Sequence, residues 1–139
     1  MRGYLLDTNV VSEARKGRRM SPSVSVWFES VDDDELFLSV LVIGEIRKGI
    51  EQARSKDSVK ARALEGWLTG LEERYGERVL PITPAVANQW GHLSAKRPLS
   101  TVDGLLAATA MVHDLTLVTR NVTDVAHTKV KLLNPFTFS

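Results

Sequence analysis

Two kinds of apolar block alternate along the chain, short continuous runs and longer stretches with helical spacing. Tyr4 to Leu6 is a short apolar run ending at Asp7, and it predicts a buried strand with that aspartate at its carboxyl end. Thr8 and Asn9 follow, and either can cap a short helix through about Ala14. Arg15 to Arg19 holds four basic residues and a glycine and predicts an exposed turn. Pro22 opens a helix that places Val24, Trp27, Phe28 and Val31 on one side. After an acidic turn at Asp32 to Glu35, Leu36 to Val40 predicts a second strand.

Ser39 or Val40 leads into a helix to about Arg54, with Leu41, Val42, Ile46 and Ile50 at helical intervals. Ala53 to Lys60 is polar and predicts a loop or helix junction, and Ala61 to Tyr75 is amphipathic through Leu64, Trp67, Leu68 and Leu71. Arg78 to Ile82 predicts a strand that Pro81 confines to an edge or an end. Pro84 to Ala95 is a helix opened by Thr83, with the proline at its first position. Ser100 and Thr101 precede a small-residue apolar helix, Asp103 to His113, expected to be buried on most sides. Leu115 to Thr119 and Lys129 to Leu133 predict the last strands. Strands alternating with helices give an α/β domain on a mostly parallel sheet, where ligands sit at the carboxyl ends of the strands.

That rule singles out four acids. Asp7 ends a buried strand, Glu45 interrupts an apolar helix start, Asp103 opens the most apolar helix, and Asp124 follows the Leu115–Thr119 strand. Each has an ordinary structural explanation. Asp7 can cap the next helix; Glu45 can face solvent and pair with Arg47 or Lys48; Asp103 can complement a helix dipole with Ser100 as cap; Asp124 can be a loop residue. Taken together they are harder to explain as packing, because carboxylates gathered at one sheet edge repel one another and raise one another's pKa. A divalent cation removes the repulsion. Carboxylate and water ligands suit Mg²⁺ or Mn²⁺ better than Zn²⁺, and such an ion supports hydrolysis of a phosphodiester.

Composition narrows the class further. The 139 residues are one domain's length, with 43% hydrophobic and 25% charged positions. No cysteine is present, which excludes disulfides and thiolate metal sites and fits a reducing cytoplasm. A formal net charge of +1 does not by itself point to nucleic acid. No apolar run approaches the roughly 20 residues of a membrane span, and the opening residues hold too short an apolar stretch for a signal peptide. The expectation is a cytoplasmic protein away from membranes.

At these residues the chain resembles the PIN-domain ribonucleases, and more narrowly the VapC/FitB-type toxins of bacterial type II toxin–antitoxin pairs. The resemblance is carried by Leu5-Leu6-Asp7-Thr8-Asn9-Val10-Val11-Ser12 and by Phe37 to Val40 followed by Ile43 to Ile50. It continues through Asp103 to Ala108 and Leu117 to Asp124. It implies a single PIN-like domain over residues 1–139, a three-layer α/β/α fold with a sheet of four to five strands. It also implies a Mg²⁺- or Mn²⁺-dependent ribonuclease in which Asp7, Asp103 and Glu45 hold the metal, with Asp124 as a further catalytic acid. Thr8, Asn9, Thr119 and Asn121 would orient those carboxylates through hydrogen bonds. The family often carries an acid at the place of Asn121, and the nearest acid here is Asp124. The implied partners are an RNA substrate, a VapB-like antitoxin whose C-terminal segment covers the site, and a second copy of the chain in a homodimer. Trp27 and Phe28 are candidates for an antitoxin groove, Trp67 and Leu71 for an exposed apolar stripe, or all four for core packing.

Arg15, Lys16, Arg18, Arg19 and Arg120 are candidates for steering RNA phosphates, with Arg47, Lys48, Lys96 and Arg97 adding charge near the acids. Two other readings fit the residues less well. A phosphatase of the aspartyl type needs a second aspartate where Asn9 stands, and a receiver domain needs a lysine where Thr119-Arg120 stands. A PIN-like module without catalysis, binding RNA or antitoxin, is favoured only by Asn121.

Overall fold

Why the chain builds its site at one edge follows from the order of its strands. The computed structural model describes residues 3–139. Met1 and Arg2, which the expected domain span includes, lie outside the described residues. Five strands, β1 (Tyr4–Leu6), β2 (Leu36–Ser39), β3 (Val79–Leu80), β4 (Thr116–Val118) and β5 (Leu132–Leu133), lie in the order β3-β2-β1-β4-β5. All four pairings are parallel, with Leu5 opposite Phe37 on one side and Leu117 on the other.

The central strands are apolar on both faces because both faces are covered: Leu5, Leu38 and Val118 are fully buried. The helices are α1 (Thr8–Arg15), α2 (Pro22–Glu29), α3 (Val40–Arg54), α4 (Ser58–Tyr75), α5 (Pro84–Lys96), α6 (Thr101–Val112) and α7 (Val122–Val125). The chain moves outward from β1 through β2 to β3, then returns to the far side of β1 for β4 and β5. Right-handed crossovers therefore put α1 to α4 on one face and α5 and α6 on the other. The packing of α1 on α2 and α3, of α3 on α4, and of α5 on α6 agrees. The direction of winding reverses between β1 and β4, and a crevice opens at such a point beyond the carboxyl ends of the strands.

Several boundaries differ from the sequence reading. Asp7 is the N-cap of α1, the ordinary role open to it from the sequence, with its carboxylate accepting the Thr8 N–H, and Thr8 and Asn9 are the first residues of the helix. Helix α4 starts at Ser58, where the Asp57 carboxylate accepts the Lys60 N–H and turns the expected loop into a capped first turn. The strand expected over 78–82 shrinks to Val79–Leu80, since Pro81 has no N–H to continue the ladder. The last strand shortens to Leu132–Leu133, preceded by Lys129 in the left-handed region at φ 65°. Trp27 lies in the core at 1% exposure and stacks edge-on with Tyr4, which removes it as a groove residue. Leu71 is likewise buried.

Helix α6 is as enclosed as its composition predicts: Gly104, Leu106, Ala107, Ala108, Thr109 and Ala110 are all buried. Its small residues allow close approach to α5. A Cβ at Gly104 would stand 2.9 Å from Cδ1 of Trp90, so glycine is required there by contact with its neighbour rather than by backbone conformation. Asp103 is the residue before this close contact, in the first turn of the helix.

Candidate active site

Asp7 stands at the reversal point between β1 and β4. Its N–H extends the ladder to the Val118 carbonyl at 2.9 Å, which fixes the backbone of a residue just past the strand end. Its Oδ1 accepts the Thr8 N–H at 2.7 Å, and its Oδ2 accepts the Thr119 hydroxyl at 2.8 Å. The Asn9 amide contributes a longer contact to Oδ2 at 3.4 Å. Each carboxylate oxygen has two lone pairs, so these bonds orient the group and leave acceptor capacity toward the crevice.

The surrounding acids come from opposite faces of the sheet. Glu45 projects from α3, where its Oε1 accepts the Thr8 hydroxyl at 2.5 Å. Thr8 thus ties Asp7 and Glu45 together, through its N–H and its hydroxyl respectively. Asp103 stands in the first turn of α6, whose N-cap Ser100 accepts the Asp103 N–H at 3.2 Å. Burial pushes the Asp7 carboxyl above the ordinary carboxylate range. The hydrogen bonds from Thr119 and Thr8 oppose the shift, and the charges of Asp103 and Glu45 add to it.

The remaining predicted residues take different places. Thr119 is buried at 1% exposure, donating to Asp7 and accepting the Asn121 N–H at 3.0 Å. Asn121 therefore acts through its backbone, while its side chain is exposed. Asn9 accepts the Arg120 N–H at 3.3 Å, so its amide group bridges the ends of β1 and β4. Asp124 is exposed in α7, a four-residue helix where the sequence predicts a loop. The acids acting on Asp7 are Asp103 and Glu45.

The basic residues are less free than the sequence suggests. Lys16 pairs with Glu13 at 2.9 Å, and Arg15 lies over the Trp67 ring, 5.5 Å from its centroid. Arg47 is held by Glu65 and Glu51, in a network with Arg54 that lowers the Glu65 carboxyl to about 2. Arg120 stacks on Phe136, 3.7 Å from the ring centroid. Arg18 and Arg19 are exposed in the turn after α1, and Lys48, Lys96 and Arg97 are also exposed. Sequence spacing held no signal for the pairing of Arg47 with a helix 18 positions away.

A hard divalent cation fits the chemistry of this donor set, which is made of oxygens and carries unneutralised charge. Among the described residues no three His, Cys, Asp or Glu groups stand close enough together to form a cage around a metal ion. Mg²⁺ does not require such a cage, since it keeps several waters and binds through one or two carboxylates.

Comparison with known proteins follows the same line. A family model described as "PIN domain" matches residues 4–128. The chain is 29% identical over 139 residues to "Toxin FitB" of Neisseria gonorrhoeae, covering 95% of this chain and 97% of that protein. It is 28% identical over 139 residues to "VapC ribonuclease Y4jK" of Sinorhizobium fredii, covering 95% and 96% of the two. The crystal structure of FitAcB from Neisseria gonorrhoeae superposes with a TM-score of 0.85 at 28% identity, covering 97% of this chain and 99% of that one.

Proposed function

The chain belongs to the PIN domain family, and from that premise we propose that it is a Mg²⁺- or Mn²⁺-dependent endoribonuclease, the toxin of a type II toxin–antitoxin pair. The observation that carries the reading is Asp7, a buried carboxylate at the sheet's reversal point, within reach of the charges of Asp103 and Glu45 and held by donors on both oxygens. The names of the relatives, a toxin and a ribonuclease, support the same activity.

In this reading Asp7 and Asp103 hold the cation directly, with Glu45 beside them. When bound, the cation places positive charge against the phosphoryl oxygens and makes water easier to deprotonate. Thr119 and Thr8 keep the Asp7 carboxylate in one orientation, so it need not reorganise when the substrate arrives. Thr8 does the same for Glu45 by donating to Oε1, which leaves Oε2 without a bond from Thr8 and able to accept a water proton. Arg18, Arg19 and Arg120 sit on the surface, where positive charge draws in an RNA backbone.

The reading extends to partners: a VapB-like antitoxin that silences the site, and a second copy of the chain. It places the protein in the cytoplasm. Among the described residues no helix is long and apolar enough to cross a membrane. Cleavage of RNA by the parent and by Asp7→Asn, with Mg²⁺ and with excess chelator, tests the activity. Undiminished cleavage by the variant, or in chelator, contradicts it. The neutral side chain of Asn121 favours a second reading, a binding module without catalysis. Calorimetric titration with Mn²⁺ separates the two, because an inert module shows no binding that depends on Asp7.

A further inference from the structure

A cleft of about 250 Å³ runs from the acidic site along the junction of α1, α3 and α4. Thr8 and Glu45 line it, so it opens at the residues that contact or neighbour Asp7. We propose that this cleft binds a nucleobase of the substrate and selects the base next to the cut. The proposal rests on the nuclease reading and names the substrate contact of that same site.

The lining suits a base in three ways. The half-buried indole of Trp67 supplies an aromatic surface, and unpaired bases of single-stranded RNA are commonly recognised by stacking on such side chains. The opposite helix supplies Gly49, where an added Cβ would meet no atom within 4 Å, so the space beside it is open to a flat ring. The exposed hydroxyl of Ser12 can donate or accept at a base edge, and the exposed ammonium of Lys60 complements a phosphate.

Trp67 is also a wall of a second, more apolar cavity of about 270 Å³, lined by Val11, Met20, Phe28 and Leu71 among others. Arg15 lines that cavity and not the cleft. The indole therefore borders two spaces, one that also holds Arg15, Arg74 and Tyr75, and the cleft, where Ile46, Ala53 and Leu64 stand beside Thr8, Ser12, Lys60 and Glu45. Only the cleft reaches Thr8 and Glu45, so a base lying against the indole there has its phosphate near the acids.

Two substitutions fill the cleft from opposite walls, Gly49→Leu on α3 and Ser12→Leu on α1. Both positions are exposed, and a Cβ added at Gly49 meets no atom within 4 Å. The experiment digests a randomised single-stranded RNA pool with parent and variants in Mg²⁺ and sequences the cut ends, with circular dichroism to establish folding. The parent is expected to prefer one base at a fixed position beside the cut. Each folded variant is expected to lose that preference by about fivefold or more, the scale of one stacked base, while still cutting the pool.

Unchanged preference in either folded variant overturns the assignment, as does a parent that cuts without preference. Unchanged preference joined to escape from a cognate antitoxin assigns the cleft to a protein segment instead. A parent that neither cuts nor binds RNA with Mg²⁺ or Mn²⁺ overturns the nuclease reading itself, an outcome distinct from the others.

Discussion

Thr119 donates its hydroxyl to Oδ2 of Asp7 at 2.8 Å, joining the ends of β4 and β1 across 112 positions of sequence. The Thr119 hydroxyl oxygen in turn accepts the Asn121 N–H at 3.0 Å, so a single side chain fixes a carboxylate and the start of α7. Thr119→Val keeps the shape and removes both bonds. With its donor gone, the Asp7 carboxyl moves still further above its ordinary range, since the Thr119 bond is the largest influence holding it down. If Asp7 holds the cation as proposed, cleavage and Mn²⁺ affinity are each expected to fall by about 10- to 100-fold, the scale for groups that orient a metal ligand. Kinetics and calorimetry on the variant check this, with a thermal melt to establish the fold.

Asp7 is unfavourable for the metal-free fold. A carboxyl whose pKa is raised on folding binds protons more readily folded than unfolded, so it destabilises the fold as pH rises through that value. At neutral pH in chelator, Asp7→Asn is therefore expected to unfold at higher urea than the parent. Mg²⁺ or Mn²⁺ is expected to raise the parent's midpoint and to leave that of the variant nearly unchanged. Urea titrations with and without the cation measure both effects.

Glu13 is a case of the opposite sign. It is buried in α1, where Lys16 donates to one oxygen and the Ser21 N–H to the other, stapling the turn after α1 to the start of α2. These bonds hold its carboxyl below the ordinary glutamate value of 4.5. The stability it contributes is fully present above pH 4.5 and is lost as pH falls through the lower folded value. Glu13→Gln is expected to cost about 1–2 kcal/mol at pH 7, for bonds made to a charged acceptor, and to flatten the acid limb of the pH–stability curve. Urea unfolding from pH 7 to pH 3 shows whether it does.

Gly104→Ala places a methyl group 2.9 Å from Trp90 Cδ1, between two helices already in contact. The expected cost is about 1–3 kcal/mol from overpacking, set against the better helix propensity of alanine. Because Asp103 is the next residue, the variant is also expected to weaken metal binding. Denaturant unfolding and Mn²⁺ titration of the same sample read the two consequences.

The strands, helices and parallel sheet were legible in the chain because both faces of β1, β2 and β4 are covered, which leaves unbroken apolar runs such as Tyr4-Leu5-Leu6. Asp7, Glu45 and Asp103 were legible because each is an acid in an apolar context, and the parallel topology brings strand ends and helix starts to one edge. Asp124 is exposed in the short helix α7, and it is not among the acids that act on Asp7. Trp27 misled because an aromatic on an amphipathic helix looks alike whether its neighbours are the core or a groove. The capture of Arg47 by Glu65, and of Lys16 by Glu13, depends on tertiary geometry and helix rotation, so charge counting overstated the cations free to meet RNA.

The central claim is that Asp7, Glu45 and Asp103 act as one metal-dependent site, and one cleavage assay tests it most directly. The parent, Asp7→Asn, Glu45→Gln, Asp103→Asn and Asp124→Asn are compared on one single-stranded RNA in Mg²⁺ and in chelator. The account predicts a loss of at least about 100-fold for the first three variants and for the parent in chelator, on the scale of removing a group that stabilises developing charge. Asp124→Asn is expected to stay within a few-fold of the parent. Full activity of Asp7→Asn, or of the parent in chelator, would contradict it.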